Sequence, residues 1–378
     1  MGYHLNFSDF AAASERCFVL ADFPDQCEKI PACDKINLLF KRQANLIIAY
    51  RIDCIGRGLK PMHDCRPPSR ALSRWLQNFE SDPVDGRYGH LLLVEKPARD
   101  SDLGNQLRPY FESAHRDARE FFAGEIGISL HPDADEDDDA SLLYPGCLPD
   151  TAKRGLFGEV MAGLVTENYE FVGGHEWSVP IFLFRYHADV EKYLFDLARD
   201  AERERAVFGR LGSDFIGLKL DDRGAVVRLI VGEAKWRGEL SDAEVETLML
   251  GKWKTNKRNG QRTRRGGIWA EINRDIDVPH GVRQLQRLLR ERDRDGHAAA
   301  IVSMDKALVL RNPVPIARTN LIMIVGNGKA KRGEGEALLT WETIPEEYTS
   351  PHDLQVVEVI LKDGEDLIDE IYDLLWKV

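Results

Sequence analysis

The chain has 378 residues, of which 43% are hydrophobic and 30% are charged, and its formal net charge is −12. This composition is typical of a globular protein with enough chain for two packed domains. It excludes a disordered chain, a collagen and a disulfide scaffold. The negative balance also argues against a polyanion-binding surface spread over the whole molecule.

The N-terminus and the cysteines predict a cytoplasmic protein without membrane contact. The first residues lack a basic start followed by a long apolar run, and no stretch approaches about eighteen uninterrupted apolar residues. The six cysteines contain no C-x-x-C pair. This favours reduced thiols over a disulfide framework or a zinc ribbon.

An acidic run divides the chain. Residues 133–139 hold six carboxylates in seven positions, a self-repelling segment typical of a surface loop or linker. We therefore predict a mixed α/β domain of unknown role over residues 1–140 and a second domain over residues 141–378. Before the run, hydrophobic spacing predicts helices over 34–50, 70–80 and 102–122 and a buried strand over 90–95.

After the acidic run, helices and strands alternate. The pattern predicts helices over 155–168, 188–208, 280–294 and 364–376, and strands over 177–185, 297–303 and 321–325. A hairpin is predicted from strands 214–220 and 225–236, because an Asp-rich turn with glycine separates them. The fold class is therefore α/β (α+β), with a mixed central sheet flanked by helices.

The second strand of that hairpin carries the chemistry. With period-two alternation, Val227, Leu229, Val231, Glu233 and Lys235 share one face. An apolar face that ends in a carboxylate and an ammonium indicates that these charges meet a cleft, a metal or each other.

Asp214 opens the neighbouring strand and is expected at the same end of the pair as Glu233. Two carboxylates with the backbone carbonyl of Ala234 would suit Mg²⁺, which keeps water or phosphate oxygens in its other positions. Lys235 beside the metal could orient or deprotonate an attacking water. This is the logic of phosphodiester hydrolysis, although an E-x-K pair alone also occurs at solvated strand ends.

A helix upstream supplies a third carboxylate. Glu159 lies at the edge of the apolar arc of helix 155–168, where it could point into a cleft or simply favour the helix dipole. Since fifty-five residues separate it from Asp214, Glu191 or Glu204 could take its place.

This set resembles the PD-(D/E)XK nuclease superfamily. The glycine-flanked Gly232-Glu233-Ala234-Lys235-Trp236, with Gly158-Glu159 and Gly212-Ser213-Asp214, looks like the nuclease subunits of Hachiman anti-phage defence systems. The likeness covers about residues 154–300 and implies a restriction-endonuclease-like core that uses Mg²⁺, with Mn²⁺ as a substitute.

The resemblance also implies roles for single residues. Asp214 and Glu233 would be metal ligands, Lys235 the catalytic lysine and Glu159 a supporting carboxylate. The family pattern often adds a glutamine on the helix after the hairpin, here Gln284, with Gln286 as the alternative.

A basic stretch follows the E-x-K strand. Residues 252–268 contain seven basic residues and no acid, a pattern that suits phosphate contacts on DNA but also a solvated loop. The predicted DNA-binding residues are Lys252, Lys254, Lys257, Arg258, Arg262, Arg264 and Arg265. Trp253 and Trp269 could stack on bases or sit in the core.

The predicted function is therefore a DNA nuclease acting as effector of a bacterial anti-phage system. No complete Walker phosphate loop is present, so a helicase of superfamily 2, implied by the resemblance to restrain and trigger the nuclease, would be a separate subunit. Two alternatives stay open: a catalytically silent DNA-binding adaptor that loads or regulates a helicase, and an enzyme whose chemistry lies in residues 1–150.

Overall fold

A mixed six-stranded sheet forms the centre of the structure. The computed structural model describes residues 63–81, 86–126, 144–146, 148–186, 215–255, 260–273, 280–308, 315–328 and 335–377. The strands are β1 (Leu76–Ser81), β2 (Tyr88–Glu95), β3 (Phe215–Leu220), β4 (Val226–Leu240), β5 (Lys252–Thr255), β6 (Arg262–Arg265), β7 (Ala317–Gly328) and β8 (Asp353–Leu361).

The order of strands in the sheet is β1-β2-β8-β7-β4-β3. The inner strands β2, β8, β7 and β4 run parallel, and the outer strands β1 and β3 pair antiparallel with β2 and β4. Strands β5 and β6 form a separate antiparallel hairpin.

Eight α-helices occur in the described ranges. They are α1 (Ser69–Trp75), α2 (Leu103–Ile126), α3 (Asp150–Asn168), α4 (Asp242–Leu250), α5 (Ile268–Ile272), α6 (His280–Asp293), α7 (Ala298–Leu308) and α8 (Gly364–Leu374). A mixed sheet flanked by helices confirms the predicted α/β (α+β) class. Among the described residues, no helix is both long enough and apolar enough to cross a membrane.

Helices cover both faces of the sheet. On one face, α1, α2, α3 and α8 share a single apolar cluster with side chains of all six strands of the sheet. On the other face, α6 and α7 cover β3 and the first half of β4. A second cluster on this same face consists of α4, α5 and residues 337–348, which cover β7, β8 and the end of β4. The two clusters on this second face leave the middle of β4 between them.

The sheet crosses the domain boundary predicted at residue 140. Strand β2 pairs in parallel with β8 from Tyr88↔Leu354 to Val94↔Ile360, so residues on both sides of 140 build one sheet. All described residues belong to one compact unit, residues 60–378. The acidic run 133–139 and the predicted helices 34–50 and 188–208 lie outside the described residues.

Most of the other predicted elements are confirmed, and four segments differ. The helix predicted over 70–80 ends at Trp75, where β1 begins. Residues 177–185 form only an isolated bridge at Ser178 and a 3₁₀ turn at Phe184–Tyr186, because Pro180 within them has no N–H to donate.

The other two differences concern short apolar segments. Residues 297–303 were expected as a strand but begin α7, because the run of alanines favours a helix. No element is predicted over 353–361, just before the predicted helix 364–376, yet these residues form the buried inner strand β8. Short apolar runs cannot be assigned by periodicity alone, since a buried strand and a buried helix look alike over so few residues.

Candidate active site

Strand β4 presents Glu233 and Lys235 in the gap between the two apolar clusters of the second sheet face. Its flanking residues Ala234 and Trp236 point to the opposite face, where they join the cluster that contains α3. Side chains alternate along a strand, so Glu233 and Lys235 share the face of Leu229 and Val231, as predicted.

One member of the predicted face is wrong. Val227 is exposed, and Val226 takes its place in the apolar cluster. The register between β3 and β4 shifts after Lys219↔Arg228, so that Leu220 pairs with Val226. A β-bulge of this kind sets two residues against one and reverses the alternation beyond it.

Glu233 and Lys235 form an ion pair. The Lys235 Nζ lies 2.6 Å from Oε2 of Glu233. Glu233 is 4% exposed, whereas the side chain of Lys235 is 32% exposed and reaches the solvent side. Because an unpaired buried carboxylate is strongly disfavoured, the ion pair with Lys235 offsets the cost of burying Glu233.

A glycine brings β4 and β7 together just before this pair. A Cβ added at Gly232 would lie 2.2 Å from the carbonyl oxygen of Leu321, far inside van der Waals contact. Only glycine permits this close backbone approach, which fixes the strand at the position preceding Glu233. The glycine before the E-x-K pair therefore has a packing reason in this sheet.

The ion pair lines a cavity of about 450 Å³. The cavity lies between β4, helices α4 and α5, and the hairpin β5–β6. Its lining residues are Glu233, Lys235, Arg237, Thr247, Leu248, Gly251, Lys252, Lys254, Arg265, Gly267, Ile268 and Glu271. Five of them are basic and two are acidic, so the cavity is positive although the chain as a whole is negative.

The hairpin β5–β6 turns only part of its basic set toward the cavity. Lys252 pairs with Arg265 and Lys254 with Thr263, and the three cations of these pairs line the cavity. Trp253 pairs with Arg264 and lies on the other face.

The predicted DNA-binding residues are thereby divided. Lys252, Lys254 and Arg265 face the cavity, and Arg262 and Arg264 lie on the other face of the hairpin. Lys257 and Arg258 lie outside the described residues.

The juxtaposition of Lys252 and Arg265 has an electrostatic meaning. Like charges directly opposite each other on a pair of strands destabilise the pair. An anion bound between them would relieve that repulsion. A cationic pair at the mouth of a cavity is therefore suited to a phosphate group.

Glycines fix where the hairpin stands. Gly251 (φ 82°) precedes β5, and a Cβ there would lie 2.1 Å from the carbonyl oxygen of Gly266. Gly267 (φ 99°) follows β6, and a Cβ there would lie 2.4 Å from the amide nitrogen of Gly251. The two ends of the hairpin thus meet backbone to backbone, so its position depends on residues without a Cβ.

Trp253 within the basic stretch and Trp269 directly after it differ in their exposure to solvent. Trp269 is buried on α5, with its ring centroid 5.3 Å from that of Trp341, and belongs to the core. Trp253 is 55% exposed.

Asp214 lies outside the described residues, so its role stays a prediction. Its neighbour Phe215 pairs with Gly232, the residue before Glu233. Within the described ranges, no group of three or more His, Cys, Asp or Glu is placed to hold a metal ion.

Glu159 is buried on α3 and does not line the cavity. Helix α3 packs against the sheet face opposite Glu233, with Gly158 beside Trp236. Glu159 lies near Tyr372, whose pKa is raised well above its ordinary value by burial and further by this carboxylate. Its supporting role stays a prediction, and the alternatives Glu191 and Glu204 lie outside the described residues.

The glutamines on α6 also lie away from the cavity lining. Gln286 is buried and donates to the carbonyl of Ile301 and to Oδ1 of Asp305, so it joins α6 to α7. Gln284 is partly exposed on the same helix. The role implied for Gln284 stays a prediction.

The cavity contains two charged residues that sequence reasoning did not select. Arg237 follows Lys235 by two positions, so the period-two rule that selected Glu233 and Lys235 also points to Arg237. Burial lowers the pKa of Arg237, an effect that Glu244 partly offsets. Glu271 on the short helix α5 had no signal, because only the tertiary fold brings α5 beside β4.

No protein-family model matches the chain, and no curated protein matches it either.

Proposed function

We propose that this chain is a metal-dependent deoxyribonuclease of the PD-(D/E)XK type. The observation that carries the proposal is the cavity in which Glu233 and Lys235, an ion pair on one strand, meet the cations of hairpin β5–β6. A carboxylate and an amine provide the acid–base groups of phosphodiester hydrolysis. The surrounding positive charge suits a polyanionic substrate.

Each residue has a task in this proposal. Lys235, partly exposed, would orient the attacking water and balance the negative charge that develops on the phosphate. Lys252, Lys254 and Arg265 would hold phosphates on the far wall of the cavity. Arg237, desolvated beside Lys235, would add to the positive potential where the phosphate reacts.

The donor set is compatible with Mg²⁺ or Mn²⁺. Glu233 offers a buried carboxylate in a polar cavity, and Mg²⁺ needs only one or two carboxylates when substrate phosphates complete its shell. Phe215, the residue after Asp214, pairs with Gly232, the residue before Glu233, and this pairing supports the proposal of Asp214 as second ligand. When bound, the ion supplies positive charge beside the scissile phosphate.

The wider role in the proposal is that of a cytoplasmic effector in an anti-phage system. Its support is the glycine-flanked Gly232-Glu233-Ala234-Lys235 and the resemblance it carries. A nuclease free in its own host would be toxic, so we include a separate superfamily 2 helicase that restrains and triggers it. Affinity purification of the chain from its host should return such a helicase in stoichiometric amount, and purification of the chain alone would argue against this part.

The catalytic proposal is tested by two substitutions on β4. Glu233→Gln keeps the size of the side chain and Lys235→Ala removes the amine. Each should lower Mg²⁺-dependent cleavage of DNA by about 100-fold or more, the scale of an acid–base group. Glu233→Gln should fold, because Lys235 reaches solvent when its partner is neutral. Lys235→Ala removes an ion-pair partner of the buried Glu233, so circular dichroism must show that this variant is folded before its activity is compared. Glu239→Gln, an exposed position of the same strand, is the matched control and should cleave as the unmodified protein does.

The assay compares the purified chain, alone and with its co-purified partner, on linear and circular DNA. Cleavage that survives Glu233→Gln would refute the site. DNA binding with no Mg²⁺- or Mn²⁺-dependent cleavage in any form would favour the catalytically silent adaptor instead.

A further inference from the structure

The outer face of hairpin β5–β6 carries an exposed aromatic ring with two guanidinium groups close to it. Trp253 is 55% exposed. The guanidinium carbon of Arg264 lies 5.0 Å from the centroid of its ring, and that of Arg262 lies 5.4 Å from it. We call these three residues the Trp253 platform.

The platform is held in place by its surroundings. Trp253 and Arg264 are directly opposite each other in the strand register. Arg264 also donates to Oε1 of Glu246 on α4 at 2.7 Å, which ties the outer face of the hairpin to the body of the protein. The ring is therefore presented on a fixed support rather than on a free chain.

The platform points away from the cavity. Lys252, Lys254 and Arg265 occupy the cavity face of the hairpin, and alternation sets Trp253 on the opposite face. A ligand confined to the cavity would not contact Trp253, so a role for this ring in binding requires a ligand segment on the outer face.

The charge and composition of the Trp253 platform indicate which kind of ligand it suits. The other large exposed apolar side chains of the described ranges are Leu220, Val227 and Val302, which lie on β3, β4 and α7. Trp253 thus lacks the apolar surroundings that mark the centre of a protein–protein interface. An aromatic face flanked by cations is instead suited to a nucleobase, which stacks on the ring while its phosphates meet the arginines.

We propose that the Trp253 platform stacks an unpaired nucleobase, so that the preferred substrate carries a single-stranded segment that passes along the outer face of the hairpin. In a closed duplex the faces of the bases are already stacked on one another, and a surface tryptophan has no base to contact. This inference rests on the proposed nuclease function and names its substrate class.

The test measures binding to two DNA ligands in EDTA, where metal-dependent cleavage cannot occur. One ligand is a single-stranded oligothymidylate and the other a covalently closed, relaxed circular duplex, and the two are compared at equal phosphate concentration. Trp253→Ala should weaken binding of the single strand by about 5- to 100-fold, the range found for one stacked base, and change binding of the circular duplex little. Trp253→Phe keeps an aromatic face and should remain within about threefold of the unmodified protein.

A second readout reports stacking directly. Tryptophan fluorescence should be quenched when the unmodified protein binds the single strand, and Trp253→Ala should remove most of that quenching. An equal loss of affinity for both ligands would overturn the proposal, since it would indicate a damaged hairpin. Unchanged single-strand affinity would overturn it too, and loss of a co-purifying protein would then assign the platform to a protein partner.

The outcomes separate this inference from the proposed function. If the unmodified protein cleaves DNA while Trp253→Ala binds single strands normally, the stacking inference alone fails. If single strands bind in a Trp253-dependent way but no form of the protein cleaves with Mg²⁺, the nuclease assignment fails and the platform stands.

Discussion

Removal of the three cations that line the cavity is the most informative perturbation of the proposed DNA interface. Lys252, Lys254 and Arg265 are close together on the inner face of the hairpin, and glutamine at each position keeps the length of the side chain without the charge. The protein should remain folded, because replacement of the facing pair Lys252 and Arg265 relieves a like-charge contact.

The magnitude follows from the release of counterions. Each neutralised phosphate contributes about 0.9 to the slope of log affinity against log salt for a duplex, and about 0.7 for a single strand. Three contacts therefore account for a slope of about 2.7 on duplex DNA. Between 50 and 200 mM salt, their share of the affinity loss is about 40-fold.

The assay is fluorescence anisotropy with a labelled DNA at several salt concentrations in EDTA. The triple variant should bind more weakly at low salt, and its slope should be less steep than that of the unmodified protein by about 2 to 3. The matched control replaces three other exposed cations by glutamine: Arg283 of α6, Arg294 of the segment that joins α6 to α7, and Lys306 of α7. It changes the net charge equally and should leave the slope nearly unchanged.

An unchanged slope in the triple variant would remove the cavity face of the hairpin from the interface. An equal flattening in the control would show that DNA senses only the total charge of the protein, and the geometric argument would fail.

Two further predictions concern folding. Gly251→Ala combines a left-handed φ with overlap against Gly266, so it should destabilise the hairpin by about 2–4 kcal/mol and weaken DNA binding, as seen by hydrogen exchange and anisotropy. Gly266 also has a left-handed φ (73°), but a Cβ there would meet open space. Gly266→Ala therefore adds backbone strain without overlap and should lower the stability of the hairpin by only about 1 kcal/mol. Equal destabilisation by the two substitutions would contradict the packing argument. His115 is buried between Tyr144 and Tyr372, and burial lowers its pKa from 6.5 to about 3. The unfolded chain therefore takes up a proton below pH 6.5 that the folded protein refuses, and stability should fall by about 2 kcal/mol from pH 7 to pH 5 on this account. In urea unfolding, His115→Gln should remove about that much of the pH dependence, and a curve parallel to that of the unmodified protein would refute the assignment.

Local patterns account for the elements that were predicted correctly. The hairpin β3–β4 follows from an Asp-rich turn with Gly224 between two apolar strands, and α2 and α8 follow from apolar residues at helical spacing. Alternation placed Glu233 and Lys235 together on one face of β4. These features depend on residues near each other in the chain, so a sequence can encode them without reference to the rest of the fold.

Patterns were less reliable where a long-range contact overrides the local preference. The buried strand β8 lies between β2 and β7, and pairing with both neighbours makes extended a segment in which the local pattern predicts no element. The bulge that exchanges Val226 for Val227 depends on the register with β3. A single sequence does not report either pairing, because the partners are distant in the chain.

The sequence by itself determined the charged pair that interrupts an apolar strand and the basic stretch that follows it. Both are properties of consecutive residues, read from alternation and charge. Only the tertiary structure decided that the two meet in one cavity, because this requires Gly251 and Gly267 to fold the hairpin back beside β4 and α5 to bring Glu271 there. Only pairing across the hairpin decided which cations face the cavity and which flank Trp253, since a side chain's direction depends on the strand it is paired with.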